Sequence, residues 1–122
     1  MPPNKNRLQL GRRGEEIAVS HLEKKGYRIE ACNERIKQGE IDIIAEKDEY
    51  LVFVEVKSRK ESNPAVSPFI SMTKAKCNRI RYLGKAYLER NNIRTKQPRF
   101  DVIGIVFQHD GQFSLEHVEN AF

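Results

Sequence analysis

Two apolar stretches separated by a short polar segment constrain this chain more than any other feature. Ile41, Ile43, Ile44 and Ala45 lie on one side of Lys47-Asp48-Glu49, and Tyr50 to Lys57, with Val52, Val54 and Val56, on the other. Apolar runs of this length bounded by polar residues form strands joined by a tight turn, which makes an antiparallel hairpin. Side chains alternate along a strand, so Phe53, Glu55 and Lys57 share one face and the three valines the other. With a two-residue turn at Asp48-Glu49, Lys47 pairs with Tyr50 and Asp42 falls opposite Glu55. A slip of one residue sets Asp42 against Val54 instead, so the register, or a compensating bulge, decides whether the carboxylates meet.

Asp42, Glu55 and Lys57 interrupt the most apolar strands of the chain. A carboxylate withdrawn from water without a partner shifts its pKa or destabilises the fold, so these groups must meet a cation, a metal ion or each other. Two neighbouring carboxylates repel, and Mg²⁺ or Mn²⁺ relieves that repulsion because hard divalent ions prefer oxygen ligands. Such an ion can acidify a bound water and neutralise charge growing on a phosphate oxygen, while Lys57 orients the nucleophile. The plainer alternative is a structural salt-bridge cluster.

The rest of the chain supplies the frame. Leu8, Gly11, Glu15, Ala18 and Leu22 recur at helical spacing, and Gly26 after Lys24 and Lys25 is a stop signal. Tyr27 to Ala31 reads as a short strand, Asn33 to Gln38 as a polar connection, and Ser58 to Ser71, with two prolines, as a mobile loop. A second helix follows, with Cys77, Ile80, Leu83, Tyr87 and Leu88 toward the core, ended by Asn91-Asn92. Phe100 to Phe107 and Phe113 to Val118 are strands around an Asp110-Gly111 turn. The order αβββαββ predicts an α/β fold, a mixed central sheet flanked by helices, with a β-α-β crossover from Tyr50 to Phe107.

At 122 residues the chain holds one domain, with residues 1–7 expected as a flexible arm. Its 39% hydrophobic and 32% charged residues set it apart from disordered chains. No apolar run reaches the ~18 residues of a membrane span and the first residues carry no secretion signal, which leads us to expect a cytoplasmic protein. Cys32 and Cys77 are too far apart in sequence for a Cys-x-x-Cys site and are expected in packing roles. His21, His109 and His117 are scattered, which gives little support to a histidine zinc site or a Ser/His/Asp arrangement.

The net charge of +5 is less informative than its segregation. Acids crowd Glu40, Asp42, Glu46, Asp48, Glu49 and Glu55, whereas Ser62 to Leu88 contains none and carries Lys74, Lys76, Arg79, Arg81 and Lys85. Further basic clusters lie at Lys5, Arg7, Arg12 and Arg13, and at Arg94, Lys96 and Arg99. An acidic hairpin among basic segments suits a metal site that meets a phosphate backbone. Ordinary solvated helix faces are the competing account.

Glu15 shares the inward helical face with Ala18 and Leu22. It can hold a metal-bound water or a second ion, or it can be a helix glutamate favoured by the dipole; both stay open. Glu40 shares a face with Asp42 and is read as a partner for Arg59 rather than a further ligand. Arg99 and Asp101 are read as an ion pair at the start of a strand.

Taken together, Gly39-Glu-Ile-Asp42, the hairpin, Val54-Glu-Val-Lys57 and a helix bearing Lys76 resemble the PD-(D/E)XK nuclease superfamily, to which restriction endonucleases and archaeal Holliday-junction resolvases belong. The resemblance is closer to the YraN-like family of bacterial proteins. It extends from Gly11-Arg-Arg-Gly-Glu15 through Phe53-Val-Glu-Val-Lys-Ser-Arg59 and Arg99-Phe-Asp-Val102 to Asn120-Ala-Phe122. It implies a restriction endonuclease-like fold, with Asp42 and Glu55 as metal ligands, Lys57 as the catalytic lysine, Glu15 as the acid of the first helix and Lys76 as a phosphate contact. Gly39-Glu40-Ile41 stands where the superfamily often has a proline before the aspartate, which leaves the role of Asp42 intact.

These residues predict a Mg²⁺- or Mn²⁺-dependent endonuclease acting on DNA, with branched or structured DNA among its candidate substrates. Lys74, Lys76, Arg79, Arg59, Arg12 and Arg13 are the candidate nucleic-acid contacts, and a homodimer is compatible with that activity. A non-catalytic nucleic-acid-binding module of the same fold, or an assembly protein, is the alternative.

Overall fold

The central hairpin forms in the register that brings Asp42 toward Glu55: Lys47 pairs with Tyr50, and the ladder runs through Ile44↔Phe53 to Ile43↔Val54. The computed structural model describes residues 5–61 and 67–122, with the side chains of residues 5–8 and 70 outside that set. Its elements are α1 (Lys5–Lys24), β1 (Arg28–Ile36), β2 (Gly39–Lys47), β3 (Tyr50–Lys60), a 3-10 turn (Pro68–Ser71), α2 (Lys74–Arg90), β4 (Gln97–Phe107) and β5 (Phe113–Val118). The order is αβββαββ, as expected, in one sheet β1-β2-β3-β4-β5. Only β3 and β4 are parallel among the neighbouring pairs, joined by the crossover that contains α2. The architecture is consistent with the restriction endonuclease-like fold. None of the helices described is long and apolar enough to cross a membrane.

Each face of the sheet buries its own core. Under α1, Ala18 and Leu22 pack with Ile43, Val52, Val54, Ile103 and Ile105; on the opposite face, Leu83 of α2 packs with Ile36, Ile41, Ile44, Leu51 and Phe53. Alternation along β3 therefore sends Glu55, Lys57 and Arg59 to the α2 face. α1 ends in a Schellman turn: Tyr27 N–H donates to Leu22 O and Gly26 N–H to Glu23 O, both at 3.0 Å, with Gly26 at φ +90°. Thr73 caps α2 by accepting from the Lys76 N–H at 3.2 Å.

Several local expectations change. The connection expected at Asn33 to Gln38 is mostly strand: β1 continues to Ile36 and the turn is Lys37-Gln38. β1 is an edge strand with one face partly in water, so its charged residues reflect exposure rather than a loop. Ser58 to Lys60, expected to begin a mobile loop, pairs with Ile105 to Phe107 on β4. Pro68–Ser71 is a 3-10 turn, and residues 62–66 lie outside the described residues. Helix α1 already begins at Lys5, within the expected arm, while residues 1–4 are outside the described set. On α1, Gly11 is exposed and Gly14 is the buried glycine of the helix.

Close packing explains another glycine. A Cβ built on Gly84 would sit 2.9 Å from Phe100 Cε1 and 3.3 Å from Phe53 Cδ2, so α2 lies directly on the aromatic layer. Gly84→Val is expected to lower unfolding free energy by about 1–3 kcal/mol through overpacking. Gly11→Ala, with nothing within 4 Å of its added Cβ, should raise it by about 0.5–1 kcal/mol. Urea denaturation of the two variants checks both signs; equal effects would refute the packing account.

Candidate active site

The site lies where β2 ceases to pair with β3. Beyond Ile43↔Val54 the β2–β3 ladder ends, while β3 stays paired with β4 through Lys60. The Val56 N–H is taken by the Asp42 carboxylate, Oδ2 accepting at 2.9 Å. The side-chain pattern also breaks here: Ile43 packs under α1 but Ile41, two residues away, packs on the α2 face. That departure from strict alternation places Asp42 at a bend between two cores.

Three of the expected residues come together. Lys57 Nζ lies 3.6 Å from Glu55 Oε1, with only 16% and 13% of the two side chains exposed. Burial, reinforced by the Glu55 charge, pushes the Asp42 carboxyl up to about 7, against the hydrogen bond from Val56 N–H. Burial also raises Glu55, opposed chiefly by the charges of Lys57 and Lys76. The Lys57 ammonium is lowered by burial and then by Lys76, against the pull of Glu55. Lys76, in the first turn of α2, thus acts on both members of the Glu55–Lys57 pair.

Glu15 reaches the rim. Its Oε2 accepts from Asn33 Nδ2 at 3.1 Å, and its charge adds to the upward pressure on Asp42. Glu40 is exposed, stands opposite Arg35 across the β1–β2 ladder and forms no ion pair with Arg59 among the described residues. Arg59 instead lies half-buried on the Glu55–Lys57 face, its Nε without a hydrogen-bond partner. The oxygen donors offered to a cation here are the carboxylates of Asp42 and Glu55, with Glu15 nearby. Among the described residues, no group of three acidic, histidine or cysteine side chains is gathered closely enough to hold a metal ion.

Raised acid groups make the fold pH-sensitive. Asp42 binds its proton more tightly folded, at about 7, than unfolded, at 3.8. Its stabilising contribution is therefore complete below about pH 4 and is lost as pH rises through about 7. Asp42→Asn removes this dependence. Relative to the variant, the metal-free wild type is expected to lose about 2–4 kcal/mol between pH 4 and pH 8. A wild-type-minus-variant difference that stays flat over that range in denaturation experiments would rule out the buried-pair account.

The basic residues separate into groups. Lys74 and Arg79 are exposed on α2 near Lys76. Arg12 is exposed on α1, in a groove with Glu15, Glu23 and Cys32. Arg13 turns to the β4–β5 turn, donating to Gly111 O at 3.3 Å and lying over Phe107. The cluster at Arg94, Lys96 and Arg99 is not one free patch: Lys96 pairs with Glu46 at 2.7 Å, and Arg99 with Asp101 at 2.9 Å. Both cysteines are free, and Cys32 is exposed, so the packing role expected for it does not hold.

On the α1 face the fold builds a network that histidine spacing did not reveal. Asp101 is fully buried and accepts from Arg99 Nε at 3.0 Å, Arg99 Nη2 at 2.9 Å, His117 Nε2 at 2.8 Å and Asn120 N–H at 3.0 Å. Burial alone would raise this carboxyl, but those hydrogen bonds hold it below the usual range. His117 Nδ1 then meets His21 Nε2 at 3.1 Å, and the Tyr27 hydroxyl accepts from Arg99 Nη2 at 2.6 Å. The expected Arg99–Asp101 ion pair is present, extended into a clamp across α1, β4 and β5. His21 and His117 look scattered in the sequence, 96 residues apart, and only the fold brings them together.

The geometry can be set beside known proteins. A model of the uncharacterised protein family UPF0102 matches residues 14–105, a span that includes Glu15, Asp42, Glu55, Lys57, Lys76 and Asp101. The chain is 43% identical over 123 residues to a UPF0102 protein of Pelobacter propionicus, covering 99% of this chain and 85% of that protein. It is 39% identical over 116 residues to one of Carboxydothermus hydrogenoformans, covering 95% and 97%. A UPF0102 protein of Dictyoglomus turgidum is 35% identical over 118 residues, covering 96% and 99%.

Proposed function

Since the chain belongs to the UPF0102 family, the YraN-like group that its motifs resemble, we propose that it is a Mg²⁺- or Mn²⁺-dependent endonuclease that hydrolyses phosphodiester bonds in DNA. The carrying observation is the half-buried Asp42–Glu55 carboxylate pair with Lys57 beside it. Two hard oxygen donors whose proton affinity is raised by burial, and at Asp42 also by the charge of Glu55, fit a divalent cation, which would relieve both. Bound there, the cation would supply an acidified water and charge neutralisation at phosphate. Asp42 and Glu55 would hold it, and Glu15 would be placed to fix a water or a second ion.

The remaining chemistry falls to the protein. The Val56 N–H fixes one oxygen of Asp42, which orients its carboxylate beside Glu55. Lys57, shielded from bulk water and held by Glu55, presents its ammonium to a phosphate oxygen or to the attacking water. Shielding strengthens that interaction over its value in water. Lys76, Lys74, Arg79 and Arg59 on the same side of the sheet would contact the backbone of the substrate.

The test is to incubate purified protein with duplex, single-stranded and four-way-junction DNA and with RNA, in Mg²⁺, Mn²⁺ or chelator. Metal-dependent cleavage of DNA that stops with chelator is the expected result. Binding that weakens steeply with salt, without cleavage under any condition, would instead establish a non-catalytic nucleic-acid-binding module.

A further inference from the structure

The outer surface of α2 carries more than positive charge. Lys76, Arg79 and Tyr82 follow one another at intervals of three, which aligns them on a single stripe of the helix. Lys76 acts on Glu55 and Lys57, so the stripe begins at the candidate active site. Arg79 is exposed and takes part in no ion pair among the described residues. Tyr82 is 51% exposed, one of two large hydrophobic residues in that state among the described residues. Lys37, at φ +55° in the β1–β2 turn, places its ammonium 5.6 Å from the centre of the Tyr82 ring.

We infer that this stripe, with Lys37, holds an unpaired strand of the nucleic acid beside the active site, its phosphates on Lys76, Arg79 and Lys37 and a base stacked on Tyr82. The inference rests on the proposed nuclease reading and names the substrate class that reading leaves open: DNA with an unpaired segment next to the point of attack. Charge complementarity supports it, because the chain from Ser62 to Leu88 contains five basic residues from Lys74 to Lys85 and no acid. So does length. Six helical residues rise about 9 Å, the span of two to three nucleotides at ~3.4 Å each. An exposed aromatic ring set among cations is the arrangement that binds single strands, since every base offers a π-face, whereas a duplex keeps its base faces stacked inside. A solvated basic helix face alone would not distinguish paired from unpaired strands.

The experiment measures fluorescence anisotropy of the full chain with a labelled oligodeoxythymidine and with a blunt duplex of equal length, in chelator so that neither is cut. A matching oligonucleotide carrying 2-aminopurine reports stacking directly. The expected result is tighter binding of the single strand, quenching of 2-aminopurine, and about a tenfold loss of single-strand affinity in Tyr82→Ala with duplex binding unchanged. Tyr82→Phe should retain wild-type affinity, and Arg79→Ala should weaken both ligands and flatten the salt dependence. Equal affinity of Tyr82→Ala and wild type for the single strand, or a wild-type preference for duplex, would overturn the inference while leaving the nuclease reading in place. Failure of the wild type to bind any nucleic acid would overturn both.

Discussion

Lys57→Ala is expected to slow DNA cleavage by about 10²–10³-fold under saturating Mg²⁺, the usual effect of removing one charge that acts on a developing oxyanion. Asp42→Ala should do at least as much, since it removes one of the two carboxylates that would hold the cation, together with the acceptor of the Val56 N–H. The double variant should be little worse than the more damaging single one, because residues that act as a unit are not additive. Single-turnover rates, with thermal melts to verify folding, decide the matter. Residual cleavage within a few fold of wild type in either variant would mean that the activity belongs to a contaminant or to another site.

Asp101→Ala should have the largest effect on stability. Its carboxylate is fully buried and bonded to Arg99, His117 and the Asn120 N–H. Removing it leaves the Arg99 guanidinium, 12% exposed at the side chain, without its counter-charge. Loss of one partner from such a pair costs about 3–5 kcal/mol. Because hydrogen bonds hold the Asp101 carboxyl below its ordinary range, its contribution is present above about pH 4 and is lost as the solution is acidified below that value. His21, lowered by burial and by His117, adds to this acid lability: its contribution is present above about pH 6.5 and falls away below it. Chemical denaturation at pH 7, at pH 4 and below about pH 3 separates the effects, the His21 loss falling in the first interval and the Asp101 loss in the second. A loss under about 1 kcal/mol at pH 7 would show that the clamp is dispensable. Asp101 pairs with Val54 on the α1 face, away from Glu55 and Lys57, so specific activity of the folded variant should be retained.

Legibility followed the physical range of each signal. The hairpin could be read because its turn is two polar residues between apolar runs, and the alternation of β3 fixed Glu55 and Lys57 on one face. Gly26 and Asn91 marked helix ends by chemistry confined to one turn. The β1–β2 turn could not be read in the same way: Lys37-Gln38 has no glycine, and a lysine adopts the positive φ there. The Asp101 clamp was half visible, because Arg99 and Asp101 are two residues apart while His21, Tyr27 and His117 arrive from distant elements. The partnership expected between Glu40 and Arg59 failed because β2 bends at Asp42, and face-sharing holds only for a regular strand.

The early end of the β2–β3 ladder has a consequence for how the site tolerates change. Glu55 and Lys57 are anchored by β4, whose pairing with β3 runs uninterrupted from Tyr50 to Lys60. Asp42 is positioned by a count of residues from the Asp48-Glu49 turn. The turn therefore acts as a spacer whose length sets the gap between the Asp42 and Glu55 carboxylates, while Lys57 is moored independently. An added residue should therefore be tolerated better at the β1–β2 and β4–β5 turns than at this one, where it would shift one carboxylate past the other.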